Sequence, residues 1–226
     1  MSQLALPLRL ADHAVFGSFF AAGNETLVAT LAELADGGPG QGCWVWGPGA
    51  TGKTHLLQAV CDRAGDRAIY VPLAMLAAAG PDILEGLASR ELICLDDIHS
   101  VVGDESWERA LFNLSNQAFD AGRKLVVAAP MSPRECPVDL PDLQSRLARL
   151  PAFQVRPLAE EDRAAALQLR ARHRGIELPD ETARFLLSRS RRDMASLYEL
   201  LDRLDIEALR AQRRLTIPFV KTVLGT

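Results

Sequence analysis

The segment Gly47-Pro48-Gly49-Ala50-Thr51-Gly52-Lys53-Thr54 fits the pattern G-x-x-x-x-G-K-[ST] at every fixed position. A chain with this segment is constrained to place a strand before it and a helix after it. Its glycines let backbone N–H groups turn inward around phosphate oxygens. Lys53 supplies a mobile positive charge for the outer phosphates, and the Thr54 hydroxyl is the expected protein ligand of Mg²⁺. The following helix directs its positive end at the same phosphates. The flanks agree with this reading. Gly42-Cys43-Trp44-Val45-Trp46 is a short apolar run of the kind a buried parallel strand needs, and His55-Leu56-Leu57-Gln58-Ala59-Val60 has helix-compatible spacing.

The net charge of −4 argues against a general nucleic-acid binder. The charge is uneven: residues 1–156 carry 12 Lys+Arg against 18 Asp+Glu, and residues 157–226 carry 13 against 11. That shift suggests a boundary near Arg156-Pro157. Cys43, Cys61, Cys94 and Cys136 are scattered, with no C-x-x-C pair or nearby His cluster, so reduced buried thiols are expected. No apolar run is long enough to span a membrane, and the N-terminus lacks a secretory pattern. A cytoplasmic protein is the expectation.

The apolar periodicity predicts helix over 26–34, then the strand 42–46 and the helix after the phosphate loop. Strands follow at 68–71, 91–95, 124–129 and 153–155. Between them the sequence reads as mostly helical over 73–87, interrupted near Gly80-Pro81, and as helix over 106–121 and 141–150. Beyond Pro157 the strand signal stops, and helices are expected over 160–174, 180–190, 193–213 and 216–224. Leu197, Leu200, Leu201 and Leu204 form one stripe, read as core. The expected fold is α/β: a parallel five-stranded sheet flanked by helices, followed by a small all-α lid. The expected division is an extended tail at 1–10, a nucleotide-binding core at 11–156 and a lid at 157–226.

A second acidic feature supports the loop. Leu92-Ile93-Cys94-Leu95-Asp96-Asp97 puts two carboxylates at the end of an apolar strand, where open α/β sheets hold ligands. Asp96 is placed to hold Mg²⁺ directly or through water, as in other phosphate-loop nucleotidases, and Asp97 stands where many of their relatives carry a carboxylate that orients the attacking water. Alone, the pair would read better as a polar strand end beginning a turn. His55 and His99 have no partner pattern for nucleophilic or metal chemistry and are read as packing or hydrogen-bonding locally.

Together, these motifs, their spacing and the helical C-terminal piece resemble the AAA+ ATPases of the DnaA clade. Gly52-Lys53-Thr54-His55-Leu56-Leu57 is similar to that clade's phosphate-loop helix, and Leu95-Asp96-Asp97-Ile98-His99 to its acidic strand end. Three further segments resemble the Hda-type regulators within the clade: Trp107-Glu108-Arg109-Ala110-Leu111-Phe112, Asp142-Leu143-Gln144-Ser145-Arg146-Leu147, and Leu215-Thr216-Ile217-Pro218-Phe219-Val220-Lys221. The resemblance covers nearly the whole chain. It implies ATP or ADP as cofactor with Mg²⁺, contacts from the loop through His55, and some self-association.

It also implies roles for two arginines. Arg146 matches the arginine-finger segment, which inserts a guanidinium beside the γ-phosphate held by a neighbouring subunit. Arg192 matches the second sensor, reaching from the lid to the phosphates, with Arg191 and Arg189 as neighbouring alternatives.

Partners follow from the resemblance as well. Gln3-Leu4-Ala5-Leu6-Pro7-Leu8 is similar to the peptide by which such regulators grip the DNA polymerase III sliding clamp (its beta subunit). Pro7 biases Leu6 toward an extended conformation, which lowers the ordering cost of docking. The sequence ends at Thr226 without the helix-turn-helix domain of a full initiator, so DNA contact is expected only through the clamp. The implied function is negative regulation of DNA replication initiation, by stimulating hydrolysis of ATP bound to the DnaA initiator.

One departure limits the chain's own chemistry. After the fourth strand, where many AAA+ proteins place a polar sensor, this chain has Ala128-Ala129-Pro130-Met131-Ser132-Pro133. Weak or absent intrinsic ATPase is therefore expected. The alternative reading is an autonomous ATPase that loads or remodels a replication partner, with Lys53 and Asp97 as its essential catalysts.

Overall fold

The computed structural model describes residues 14–189 and 194–225. Five strands form one wholly parallel sheet: β1 (Gly42–Trp46), β2 (Ala68–Pro72), β3 (Leu92–Asp96), β4 (Lys124–Ala129) and β5 (Ala152–Gln154), in the order β2-β3-β4-β1-β5. Parallel strands need long crossovers, and helices supply them. The core helices are α1 (Glu25–Ala35), α2 (Lys53–Ala64), the single turn α3 (Leu73–Leu76), α4 (Glu105–Asp120) and α5 (Pro141–Leu147).

Both faces of the sheet are covered, which explains why β1, β3 and β4 read as continuous apolar runs rather than alternating ones. Successive side chains still point to opposite faces. Cys43, Val45, Cys94, Val126 and Ala128 pack with Leu31, Leu56, Leu57 and Val60 of α1 and α2. Trp44, Ile93, Leu95, Leu125 and Val127 pack with Leu111 and Leu114 of α4 and Leu143 of α5. Gly42 has a separate reason to be glycine: at φ 121°, a Cβ there would lie 1.9 Å from the Leu125 carbonyl oxygen on β4.

The segment 73–87 differs from expectation. Only Leu73–Leu76 is α-helical, followed by short 3-10 turns at Ala77–Ala79 and Pro81–Leu84. Gly80 and Gly86 both take positive φ, at 85° and 77°, and Pro81 cannot donate a backbone hydrogen bond. The alanine-rich composition favours helix locally, but these breakers divide the run.

The lid comprises α6 (Arg163–His173), α7 (Asp180–Arg189), α8 (Met194–Ala211) and α9 (Ile217–Leu224). Leu167, Leu186, Leu197, Leu201, Leu204, Phe219 and Val220 form its separate core. The leucine stripe of α8 is therefore lid interior. No described helix is long and apolar enough to cross a membrane.

Candidate functional site

The phosphate loop leaves the carboxyl end of β1, beside the point where the strand order reverses, the position at which open α/β sheets bind ligands. Gly52 caps α2 in the left-handed region, at φ 94°. A Cβ there would also sit 2.7 Å from Phe19 Cε2, so backbone conformation and neighbouring ring both require glycine. Lys53 is buried at 8% exposure, and its Nζ donates to the carbonyls of Gly47 and Pro48, each at 2.8 Å. Burial lowers its pKa, while Asp97 and Asp96 act in the opposite direction. The ammonium is thus held against the loop by neutral acceptors.

Asp96 closes β3 at 2% exposure. Its Oδ2 accepts from the Tyr70 hydroxyl at 2.8 Å, and its Oδ1 from the Asp97 backbone N–H at 3.1 Å. Burial raises its pKa, against hydrogen bonds from Thr54 and Tyr70 that lower it. The Thr54 hydroxyl in the first turn of α2 and the Asp96 carboxylate at the end of β3 are therefore partners. Both are hard oxygen donors of the kind Mg²⁺ takes, and a cation beside Asp96 would relieve its burial. Among the described residues no cluster of three His, Cys, Asp or Glu side chains could hold a metal alone. A cation here would need ligand phosphates and water to complete its shell. Asp97 stands at φ 55° with its carboxylate partly exposed, and lines the cleft above the loop.

The cleft has a volume of about 730 Å³ and lies between core and lid, a size suited to a nucleotide-sized ligand. One wall is the loop, from Pro48 through His55. His55 Nε2 lies 2.9 Å from the Val15 carbonyl oxygen, and its ring centroid lies 5.6 Å from that of Phe19. Burial lowers the His55 pKa, so the ring acts as a packing and hydrogen-bonding group. The opposite wall includes Arg156, Leu158, Arg163, Arg170, Met194 and Tyr198. Asn24 ties the two together: its side chain donates to the Arg156 carbonyl at 3.1 Å and accepts from the Arg156 N–H at 2.8 Å.

The structure brings together Lys53, Thr54, Asp96 and Asp97. Arg146 lies elsewhere, half-buried on α5, where its Nη2 donates to Asn116 Oδ1 and its Cζ sits 5.9 Å from the Phe119 ring centroid. Ser132, the polar residue after β4, is bonded to Glu135 Oε2 at 2.7 Å and does not line the cleft. Arg189 stacks over Phe185 on its own helix, at 5.3 Å. Arg191, Arg192 and the peptide from Gln3 to Leu8 lie outside the described residues. Sequence reasoning missed Tyr70, Asn24, Arg170 and Tyr198. No local pattern marks them, because they reach the site only through tertiary packing.

Residues 160–224 match the family model of the Hda lid domain. The C-terminal helical segment is thus similar to the Hda lid domain. The fold of the chain is similar to domain III of the replication initiation protein DnaA from Thermotoga maritima. The TM-score is 0.77 at 19% identity, over 96% of this chain and 97% of that one. AMPPCP-bound DnaA from Aquifex aeolicus gives 0.71 at 20% identity, over 89% and 68%. The RuvB Holliday junction branch migration motor of Thermotoga maritima gives 0.59 at 17%, over 89% and 67%. At these identities the likeness establishes the fold: a DnaA-type AAA+ core with an Hda-like lid.

Proposed function

We propose that this protein is a negative regulator of replication initiation. It binds ADP or ATP in the cleft, docks on the DNA-loaded sliding clamp through Gln3–Leu8, and stimulates hydrolysis of ATP held by the initiator DnaA. The observation that carries the reading is the position of Arg146. Its guanidinium is held by Asn116 and Phe119 on α4 and does not line the chain's own cleft, which supports action on a nucleotide held by another subunit. The Hda-like lid and the AMPPCP-bound DnaA relative support an adenine nucleotide and a DnaA-related setting.

In this reading Lys53 turns from the Gly47 and Pro48 carbonyls to the ligand's outer phosphates, and the N-terminus of α2 supports their charge. Thr54 and Asp96 would hold Mg²⁺, whose chemistry is to neutralise phosphate charge. Ser132 is turned to Glu135 and does not line the cleft, so it is not placed to hold an attacking water there. The chain's own turnover is accordingly weak. Arg146 enters the initiator's site, where a finger of this kind raises hydrolysis by about 10³–10⁵.

The experiment follows labelled ATP prebound to DnaA, with DNA-loaded clamp, with and without this protein. Hydrolysis that needs clamp, DNA and this protein together supports the reading. Arg146→Ala should keep nucleotide and clamp binding and lose the stimulation. An unchanged stimulation by Arg146→Ala would remove the finger from the mechanism. Substantial ATP turnover by the protein alone would favour an autonomous loader or remodeller.

A further inference from the structure

The cleft contains a cation that the phosphate-binding reading leaves unused. Arg170, on α6 of the lid, is 9% exposed and lines the cleft. Its Nε is buried without a hydrogen-bond partner, and no described carboxylate forms an ion pair with it. The nearby Asp202 is instead paired to Arg174, at 2.5 Å. What holds Arg170 is a ring: its Cζ lies 4.7 Å from the Tyr198 centroid on α8. Guanidinium on an aromatic face is a favourable stack that leaves the in-plane N–H donors available. A buried, planar donor without an acceptor is costly unless a ligand supplies one.

Its placement selects the part of the ligand. Lys53, at the outer-phosphate end, feels the charges of Asp97 and Asp96. Arg170 instead stands on α6, which packs against the turn Phe16–Ser18. On the lid side the cleft is lined by Phe20, Leu158 and Met194, which pack with the lid core and offer apolar surfaces suited to a flat ring.

We infer that Arg170, stacked on Tyr198, binds the nucleoside end of the nucleotide and donates to the acceptor edge of its base. The inference rests on the proposed nucleotide reading and names a residue for it on the lid. Because Arg170 belongs to the lid while the phosphate loop belongs to the core, one ligand would bridge both.

The test titrates the intact protein, its Arg170→Met and Arg170→Lys variants, and two variants of the ring, Tyr198→Phe and Tyr198→Leu. The probes are ADP and pyrophosphate, followed by calorimetry, with circular dichroism confirming the fold of each variant. Arg170→Met should weaken ADP binding by about tenfold or more, the loss expected for a charged hydrogen bond, and leave pyrophosphate binding unchanged. Arg170→Lys should be intermediate. Tyr198→Phe keeps the ring and should bind ADP like the parent, whereas Tyr198→Leu should weaken it. Unchanged ADP affinity in a folded Arg170→Met protein would overturn the inference, and equal losses for ADP and pyrophosphate would overturn the assignment to the base. Failure of the parent protein to bind ADP at all would instead defeat the nucleotide reading, and this inference with it.

Discussion

Arg146 on α5 donates a hydrogen bond to the side-chain carbonyl of Asn116 on α4. The contact joins two elements separated by β4 and a loop, and it fixes where a guanidinium can stand on that face. If Arg146 acts on another subunit's nucleotide, Asn116 sets its starting geometry. Asn116→Ala should therefore lower the stimulated hydrolysis several-fold, less than Arg146→Ala does, while ADP binding stays at the parental level. A full loss of ADP binding in calorimetry would show that Asn116 supports the fold instead.

Glu108 is the second anchor of this face. At 1% exposure it accepts from the backbone N–H groups of Gly103 at 2.8 Å, Asp139 at 3.0 Å and Leu140 at 2.6 Å. It thereby ties the loop after the acidic strand end to the entry of α5. Glu108→Ala would leave three buried donors unsatisfied and should destabilise the protein by about 3 kcal/mol, measured by urea unfolding. A change near zero would mean that water replaces the carboxylate there.

Asp96 should show the opposite sign in the ligand-free protein. Burial raises its folded pKa above the ordinary aspartate value of 3.8. The ionised carboxylate is therefore less favourable folded than unfolded. That penalty grows as pH rises from 3.8 through the raised value and is complete above it. Asp96→Asn should be neutral or stabilising at pH 7, with its advantage vanishing as the pH falls below 3.8. The same variant should lose Mg²⁺-dependent strengthening of nucleotide binding. Thermal unfolding across pH and calorimetry with and without Mg²⁺ test the two halves separately.

Gly52→Ala meets two obstacles, a left-handed backbone and the Phe19 ring at 2.7 Å. The strain should destabilise the fold by about 1–3 kcal/mol and abolish ADP binding. Shortening the neighbour with Phe19→Leu should recover part of the stability, because the ring is one of the two obstacles, but not the binding geometry of the loop.

How much was readable without coordinates varied with how local the cause was. The extent of β4 over 124–129 follows from the apolar run Leu125–Ala129 between Gly122-Arg123-Lys124 and Pro130, and β1 from its position ahead of the phosphate loop. The segment 73–87 was harder, because alanine-rich composition and glycine breakers point in different directions and tertiary packing decided between them. The single turn of α3 is the outcome.

The same division holds for the site. The sequence by itself determined the phosphate loop, the acidic strand end and the helical lid, since each is written in neighbouring residues: glycines at fixed spacing, carboxylates closing an apolar run, a 3.6-residue leucine stripe. Only the tertiary structure decided that Tyr70 hydrogen-bonds Asp96, that Asn24 joins the N-terminal segment to Arg156, and that Arg170 lies on Tyr198 inside the cleft. These pairs come from different elements. Their meeting depends on strand order, on the rotation of each helix about its axis and on how the lid lies against the core, none of which a local pattern encodes.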